Sequence, residues 1–168
     1  LGSAVGGCRI HAYPSSQDAL SDALRLSQAM TYKNVLAGLP FGGGKSVIIA
    51  DPQTEKTSEM LEVFGTYIDQ LGGKYIAAED SGTSPSDMAQ IAKTTQHVAG
   101  LSTEHSDGDP SPATARGVLV SIQTAAEHKL GRRQLEGLSV VVQGLGHVGF
   151  ELAKLLTVSY THLTLPTT

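Results

Sequence analysis

The 168-residue chain is 40% hydrophobic and 17% charged, with acidic and basic residues mixed and a formal charge of -4. That balance gives no basic footprint for nucleic acid or an anionic membrane surface, and no window approaches the roughly 20 apolar residues of a membrane span. The single cysteine, Cys8, excludes an internal disulfide and fits a reducing cytoplasm, while the opening LGSAVGGCRI lacks a secretory signal's basic and apolar stretches and is compatible with a truncated beginning.

Residues 5–13 alternate weakly and read as a strand. Ser15 or Ser16 can cap a following helix, with Asp18 in its first turn, and Ala19, Ala23, Leu26 and Met30 trace one apolar stripe running to about Asn34. Gly38 and Pro40 break the chain before the run Gly42, Gly43, Gly44. SVIIAD (46–51) is β-branched, stops at Pro52 and reads as a buried strand. A second helix is expected from Thr57 to Leu71 on Met60, Phe64, Tyr67 or Ile68, and Leu71, ending at Gly72 and Gly73. KYIAAED (74–80) reads as a strand, and Ser84-Pro85 opens a third helix. Ser111-Pro112 repeats that start signal for a long helix through Val118, Ile122, Ala125 or Ala126 and Leu130, ended by Gly131. LSVVVQ (138–143) reads as a strand leading into a further helix. Strands alternating with helices imply a parallel sheet with covering helices. Residues 158–168 lose this periodicity and read as a non-native tail.

Four segments can carry chemistry. GLGHVG (144–149) fits G-x-G-x-x-G after a strand and before a helix: Gly144 for the tight turn, Gly146 for close approach of a pyrophosphate, and Gly149 for packing. The acidic residue expected about 20 positions later is absent, so a plain strand-turn-helix stands as the alternative. PFGGGKS (40–46) fails as a P-loop, because residue 39 is leucine and Lys45 leads into a strand rather than a helix. Lys45 among glycines and apolar residues instead sits where desolvation disfavours its charge. Lys33 is a second lysine that could share its cleft, leaving one anion anchor and one base; the alternative for Lys33 is a solvated helix-end residue.

In AAEDSGTS (77–84), Glu79 and Asp80 end a strand, where ligands collect in open α/β sheets, and a carboxylate there could exchange protons with a bound amine. Asp80 or Ser81 could equally cap the next helix. In DGDPSPATA (107–115), Ser111 as cap, Pro112 and Thr114 form a polar helix start that could contact a cofactor amide or be purely structural. The histidines ahead of residue 158, His11, His97, His105, His128 and His147, show no ligand spacing, and no metal is assigned.

GGCR, MTYKN, GLPFGGGKSVI, AEDSGT, GDPSPATA and QGLGHVG occur in the order seen in the glutamate/leucine/phenylalanine/valine dehydrogenases. The chain resembles that family over residues 1–157. The resemblance implies an α/β protein with two parts. A substrate-binding and dimerisation domain with a mixed sheet covered by helices spans 1–110, lacking its opening strands. The connecting helix and the first unit of a truncated Rossmann NAD-binding domain span 111–157.

It further implies that Lys33 holds the substrate α-carboxylate beside Gly6 and Gly7, with Val5 and Met30 also on the substrate. Lys45 activates water and Asp80 exchanges protons with the amine. Thr114 lies near the nicotinamide, and Gly144, Leu145, Gly146, His147, Val148, Gly149 and Phe150 hold the pyrophosphate of NAD. The implied reaction is reversible oxidative deamination of an amino acid to a 2-oxo acid and ammonia, in a cytoplasmic homo-oligomer, although the piece alone is expected to be inactive.

In the family's glutamate enzymes a lysine precedes the GG of the first motif. Here that residue is Val5, beside Ala4, so a side-chain carboxylate would lie unpaired and an apolar amino acid is expected. The wording of GGCR, LPFGGGKSVIIADP and QGLGHVG is most similar to the leucine enzymes, which puts leucine ahead of phenylalanine and valine. A non-catalytic oligomerisation module and an NAD-binding sensor are the competing readings. Loss of Lys33, Lys45 or Asp80 would have marked the first, and the second would need only GLGHVG.

Overall fold

The computed structural model describes residues 2–104 and 108–159. The chain divides into two compact units, Leu1–Asp109 and Pro110–Thr168.

The first unit is built around strand β1 (Ala4–His11), which pairs on one side with β4 (Tyr75–Ala78) and on the other with β2 (Gly42–Gly43) and β3 (Ser46–Ile49). Every one of these pairings is parallel; of the mixed sheet expected, the described residues contain the parallel part. Ala4 faces Gly42 and Cys8 faces Ser46 at the same offset, so β2 and β3 are two pieces of one edge strand, interrupted at Gly44 and Lys45. The amides of Gly44 and Ala50 donate to Val5 and His11 along that same edge.

Helix α1 (Ser16–Leu36) lies across the edge, capped by Ser15, whose hydroxyl accepts from the amide of Asp18. Its inner stripe carries Ala19, Ala23, Leu26 and Met30 as the periodicity predicts, and also Asp22, Ser27, Thr31 and Asn34. Glycine is what permits the crossing. A Cβ on Gly43 would stand 2.1 Å from the amide nitrogen of Thr31 and 2.2 Å from the carbonyl of Ser27. The Gly43 amide donates to Thr31 Oγ1 and Asn34 donates to the Gly42 carbonyl.

Helices α2 (Ser58–Gln70) and α3 (Pro85–Ile91) cover the opposite face, where Ile10, Ala50, Leu61, Met88 and Ile91 form the core. Thr57 and Ser84 cap them, so the helix after AAEDSGTS is capped by Ser84 and not by Asp80 or Ser81. Two expectations need correction. On α2, Met60 and Phe64 pack on the core and Ile68 is buried, as the stripe predicts, but Tyr67 and Leu71 are exposed, and Leu61 and Gly65, not picked out, are the other buried positions. SVIIAD is half-buried rather than buried, since β3 lies at a sheet edge and Ile49 is 49% exposed.

The second unit contains α4 (Ser111–Leu130) and α5 (His147–Ser159), packed through Ala115, Ala126, Leu135, Leu152 and Leu156. Gly131 ends α4 in the left-handed conformation. Ser111 is not its cap: Pro110 already has helical angles (φ -78, ψ -7) and offers no capping side chain, so Ser111 is the first helical residue and is buried. The inner stripe of α4 runs through Ala115, Leu119, Ile122 and Ala126, leaving Val118 and Leu130 exposed.

Residues 138–143, expected as a strand, pair with no other strand, and Val141 is 90% exposed. A strand exists only through a hydrogen-bonded neighbour, and the described part of this unit holds helices alone. Helix α5 continues to Ser159, two residues into the segment expected to be a non-native tail; 160–168 lie outside the described residues, as does His105. No described helix is long and apolar enough to cross a membrane.

Candidate active site

Lys45 occupies the gap between β2 and β3, and Asp80 lies two residues past the end of β4. Their side chains form an ion pair between Lys45 Nζ and Asp80 Oδ2. The lysine side chain is only 6% exposed and the aspartate 21%. Two features hold Asp80 in place. Its amide donates to Thr83 Oγ1, and that hydroxyl lies 3.0 Å from the Cys8 carbonyl of β1. Beneath it, Gly7 leaves the space that Asp80 fills, since a Cβ there would stand 2.5 Å from the Cβ of Asp80.

Gly6 lies beside this pair, its missing Cβ 3.3 Å from Met30 Cγ and far too close to the Gly44 carbonyl for any side chain. Its own carbonyl accepts a 2.7 Å hydrogen bond from the buried hydroxyl of Tyr75, which also lies 2.9 Å from Ser46 Oγ. The residue after Lys45 and the glycine pair of β1 are thus tied to one phenol on β4. Burial pushes the Tyr75 hydroxyl well above the ordinary tyrosine range, so it stays protonated.

Lys45 is pushed down to about 8, chiefly by burial, with the charges of Arg9 and Lys33 acting in the same direction and Asp22 and Cys8 opposing. Arg9 donates through Nη1 to Asp22 Oδ2 at 3.0 Å and brings Nε to 3.5 Å from Asp80 Oδ2. The Tyr13 hydroxyl donates to the same oxygen of Asp22 and, together with Arg9, holds that carboxyl below its usual range.

Among the predicted site residues, the structure brings Gly6, Gly7, Met30, Lys45 and Asp80 together, with Val5 half-buried on the same strand. Lys33 is exposed on the last turn of α1, with no ion pair among the described residues. Arg9, Asp22, Tyr13, Tyr75 and Thr83 were not picked out from the sequence. Asp22 had a signal: a carboxylate lying between Ala19 and Leu26, two of the apolar residues that mark the inner stripe. No described group of three or more His, Cys, Asp and Glu is placed to hold a metal ion.

In the second unit, Gly144 takes φ +87 and Gly149 packs against it, a Cβ on Gly149 meeting the Gly144 carbonyl at 2.0 Å. A Cβ on Gly146 would meet nothing within 4 Å. A tight turn and an open glycine ahead of α5 leave room for a phosphate group at the helix N-terminus. Thr114, in the first turn of α4, is exposed and bonds its hydroxyl back to the Pro110 carbonyl at 2.9 Å.

Residues 1–97 match the family described as "Glu/Leu/Phe/Val dehydrogenase, dimerisation domain". Leucine dehydrogenase of Geobacillus stearothermophilus is 50% identical over 155 residues, which are 92% of this chain and 42% of that protein. The solved L-tryptophan dehydrogenase of Nostoc punctiforme superposes with a TM-score of 0.66 at 40% identity, covering 94% of this chain and 44% of that one. The hetero-hexameric glutamate dehydrogenase of Thermus thermophilus in its leucine-bound form gives 0.73 at 29% identity, covering 91% and 39%. The chain belongs to the Glu/Leu/Phe/Val dehydrogenase family. It spans less than half the length of these relatives.

Proposed function

We propose that the chain is the substrate-binding and oligomer-forming part (1–110), with the beginning of the Rossmann part (111–157), of a cytoplasmic NAD-dependent dehydrogenase. The full-length protein reversibly deaminates an apolar L-amino acid, leucine ahead of phenylalanine and valine. The observation that carries this reading is the shielded pair of Lys45 and Asp80, with the lysine pushed down to about 8. An amine titrating there is partly neutral near physiological pH and can serve as a general base.

In this reading Lys33, with its uncommitted ammonium, anchors the substrate α-carboxylate beside Gly6, Gly7 and Met30. Asp80 takes a proton from the substrate amine and returns it in the reverse direction. Lys45 takes a proton from the water that attacks the imino carbon. NAD, when bound, supplies the acceptor for the hydride of the α-carbon. Gly144, Leu145, Gly146, His147, Val148, Gly149 and Phe150 would hold its pyrophosphate, and Thr114 would lie near its nicotinamide.

An apolar substrate is favoured because Ala4 and Val5 offer no cation to a side-chain carboxylate, whose burial without a partner is costly. The 50% identity to a leucine dehydrogenase supports leucine. The test is NAD reduction by the full-length protein with leucine, phenylalanine, valine and glutamate. Turnover fastest on leucine and abolished in Lys45→Ala is expected. NAD binding without turnover on any of the four would overturn the proposal.

A further inference from the structure

A base lysine paired with a carboxylate poses a problem, because the carboxylate holds the proton on the amine and is itself stranded when the amine gives it up. The residues around Asp80 offer a solution. Arg9 sits on β1 level with Asp80: Gly7 pairs with Ala78, and each residue lies two positions further along. Its guanidinium reaches two carboxylates through different nitrogens, Asp22 through Nη1 at 3.0 Å and Asp80 through Nε at 3.5 Å. That Nε is buried and makes no hydrogen bond, and it faces Oδ2, the oxygen that Lys45 also holds.

Asp22 projects from the half-buried inner stripe of α1, toward β1. Arg9 and the Tyr13 hydroxyl both bind its Oδ2.

We propose that Arg9, braced by Asp22 and Tyr13, is a positioning residue that shares Asp80 Oδ2 with Lys45, so that Lys45 can lose its proton without leaving Asp80 unpaired. Arginine suits this task because its guanidinium stays charged and has donors on two edges. The proposal rests on the deamination proposed above. The charged and titratable groups facing Lys45 are Arg9 and Cys8 from β1, Asp22 and Lys33 from α1, and Asp80 after β4. Burial pushes the Cys8 thiol up to about 11, so it is neutral in the working range.

The test follows amine labelling of Lys45 against pH by mass spectrometry, alongside the pH–rate profile, in the full-length protein and its variants. Arg9→Met removes a competing cation and should raise the labelling midpoint of Lys45 by about one unit, which lowers the neutral fraction at pH 7 by about tenfold. The rate at pH 7 should fall with it, more through kcat than KM. Asp22→Asn removes an anion and should move the midpoint down. Arg9→Lys keeps one charge but cannot reach both carboxylates, so a smaller upward shift is expected; it decides the matter if Arg9→Met does not fold. Midpoints that stay at the wild-type value, or that move the same way in Arg9→Met and Asp22→Asn, would overturn the brace. The labelling needs no turnover, so it separates this inference from the proposed reaction, which fails only if the wild-type protein acts on none of the four amino acids.

Discussion

Lys45 and Asp80 stand 35 positions apart in sequence, with β3, α2 and β4 between them, yet their side chains meet over Gly7. The parallel pairing of β1 with both its neighbours brings them together, one from a gap in an edge strand and the other from a strand end.

The depressed pKa of Lys45 has a definite consequence for stability. A lysine whose folded value lies near 8, against 10.5 unperturbed, binds fewer protons folded than unfolded between those limits. Stability from this group therefore rises as pH climbs from about 8 toward 10.5, and its burial penalty is fully felt below 8. Urea unfolding of wild type and Lys45→Met across this window should show the wild type gaining on the variant. Parallel curves would refute the shift.

Gly43→Ala should destabilise the first unit by about 1–3 kcal/mol, the usual cost of overpacking. Its Cβ would strike backbone of α1 that cannot swing aside. Thermal melting reads this directly, and an unchanged midpoint would mean that α1 does not cross the edge strand there.

Tyr75→Phe removes one oxygen and leaves the Gly6 carbonyl without its 2.7 Å donor. A buried acceptor stripped of its partner costs about 1–3 kcal/mol. Because the same phenol steadies Gly6 and Ser46, the KM for the amino acid should rise in the full-length protein. A KM equal to wild type would separate this tie from the substrate site.

The two later glycines of GLGHVG should respond differently to alanine. Gly149→Ala drives its Cβ into the Gly144 carbonyl and should lower the melting temperature. Gly146→Ala meets open space and should melt like wild type while weakening NAD binding in the full-length protein. Calorimetric titration with NAD checks the second, and undiminished affinity would place the pyrophosphate elsewhere.

Much of the first unit was legible because its signals are local. Ser15, Thr57 and Ser84 cap the helices they precede, and Gly72 and Gly73 close α2 with φ of +56 and +79. Lys45 and Asp80 were legible from their glycine-rich and strand-end settings. Arg9 and Tyr75 were not, because what they do depends on pairing across strands, which no local pattern encodes. The segment 138–143 shows the opposite failure. Its β-branched run states a preference for extended backbone, but forming a ladder takes a second strand.

The interrupted edge strand has one more consequence. A residue carried on a free loop must be immobilised when its ligand arrives, and that entropy loss is subtracted from affinity. Lys45 is held by rungs on both sides, at Gly43 against Val5 and at Ser46 against Cys8. Its ordering is therefore completed during folding, and ligand capture at Lys45 should show little entropic penalty from the lysine.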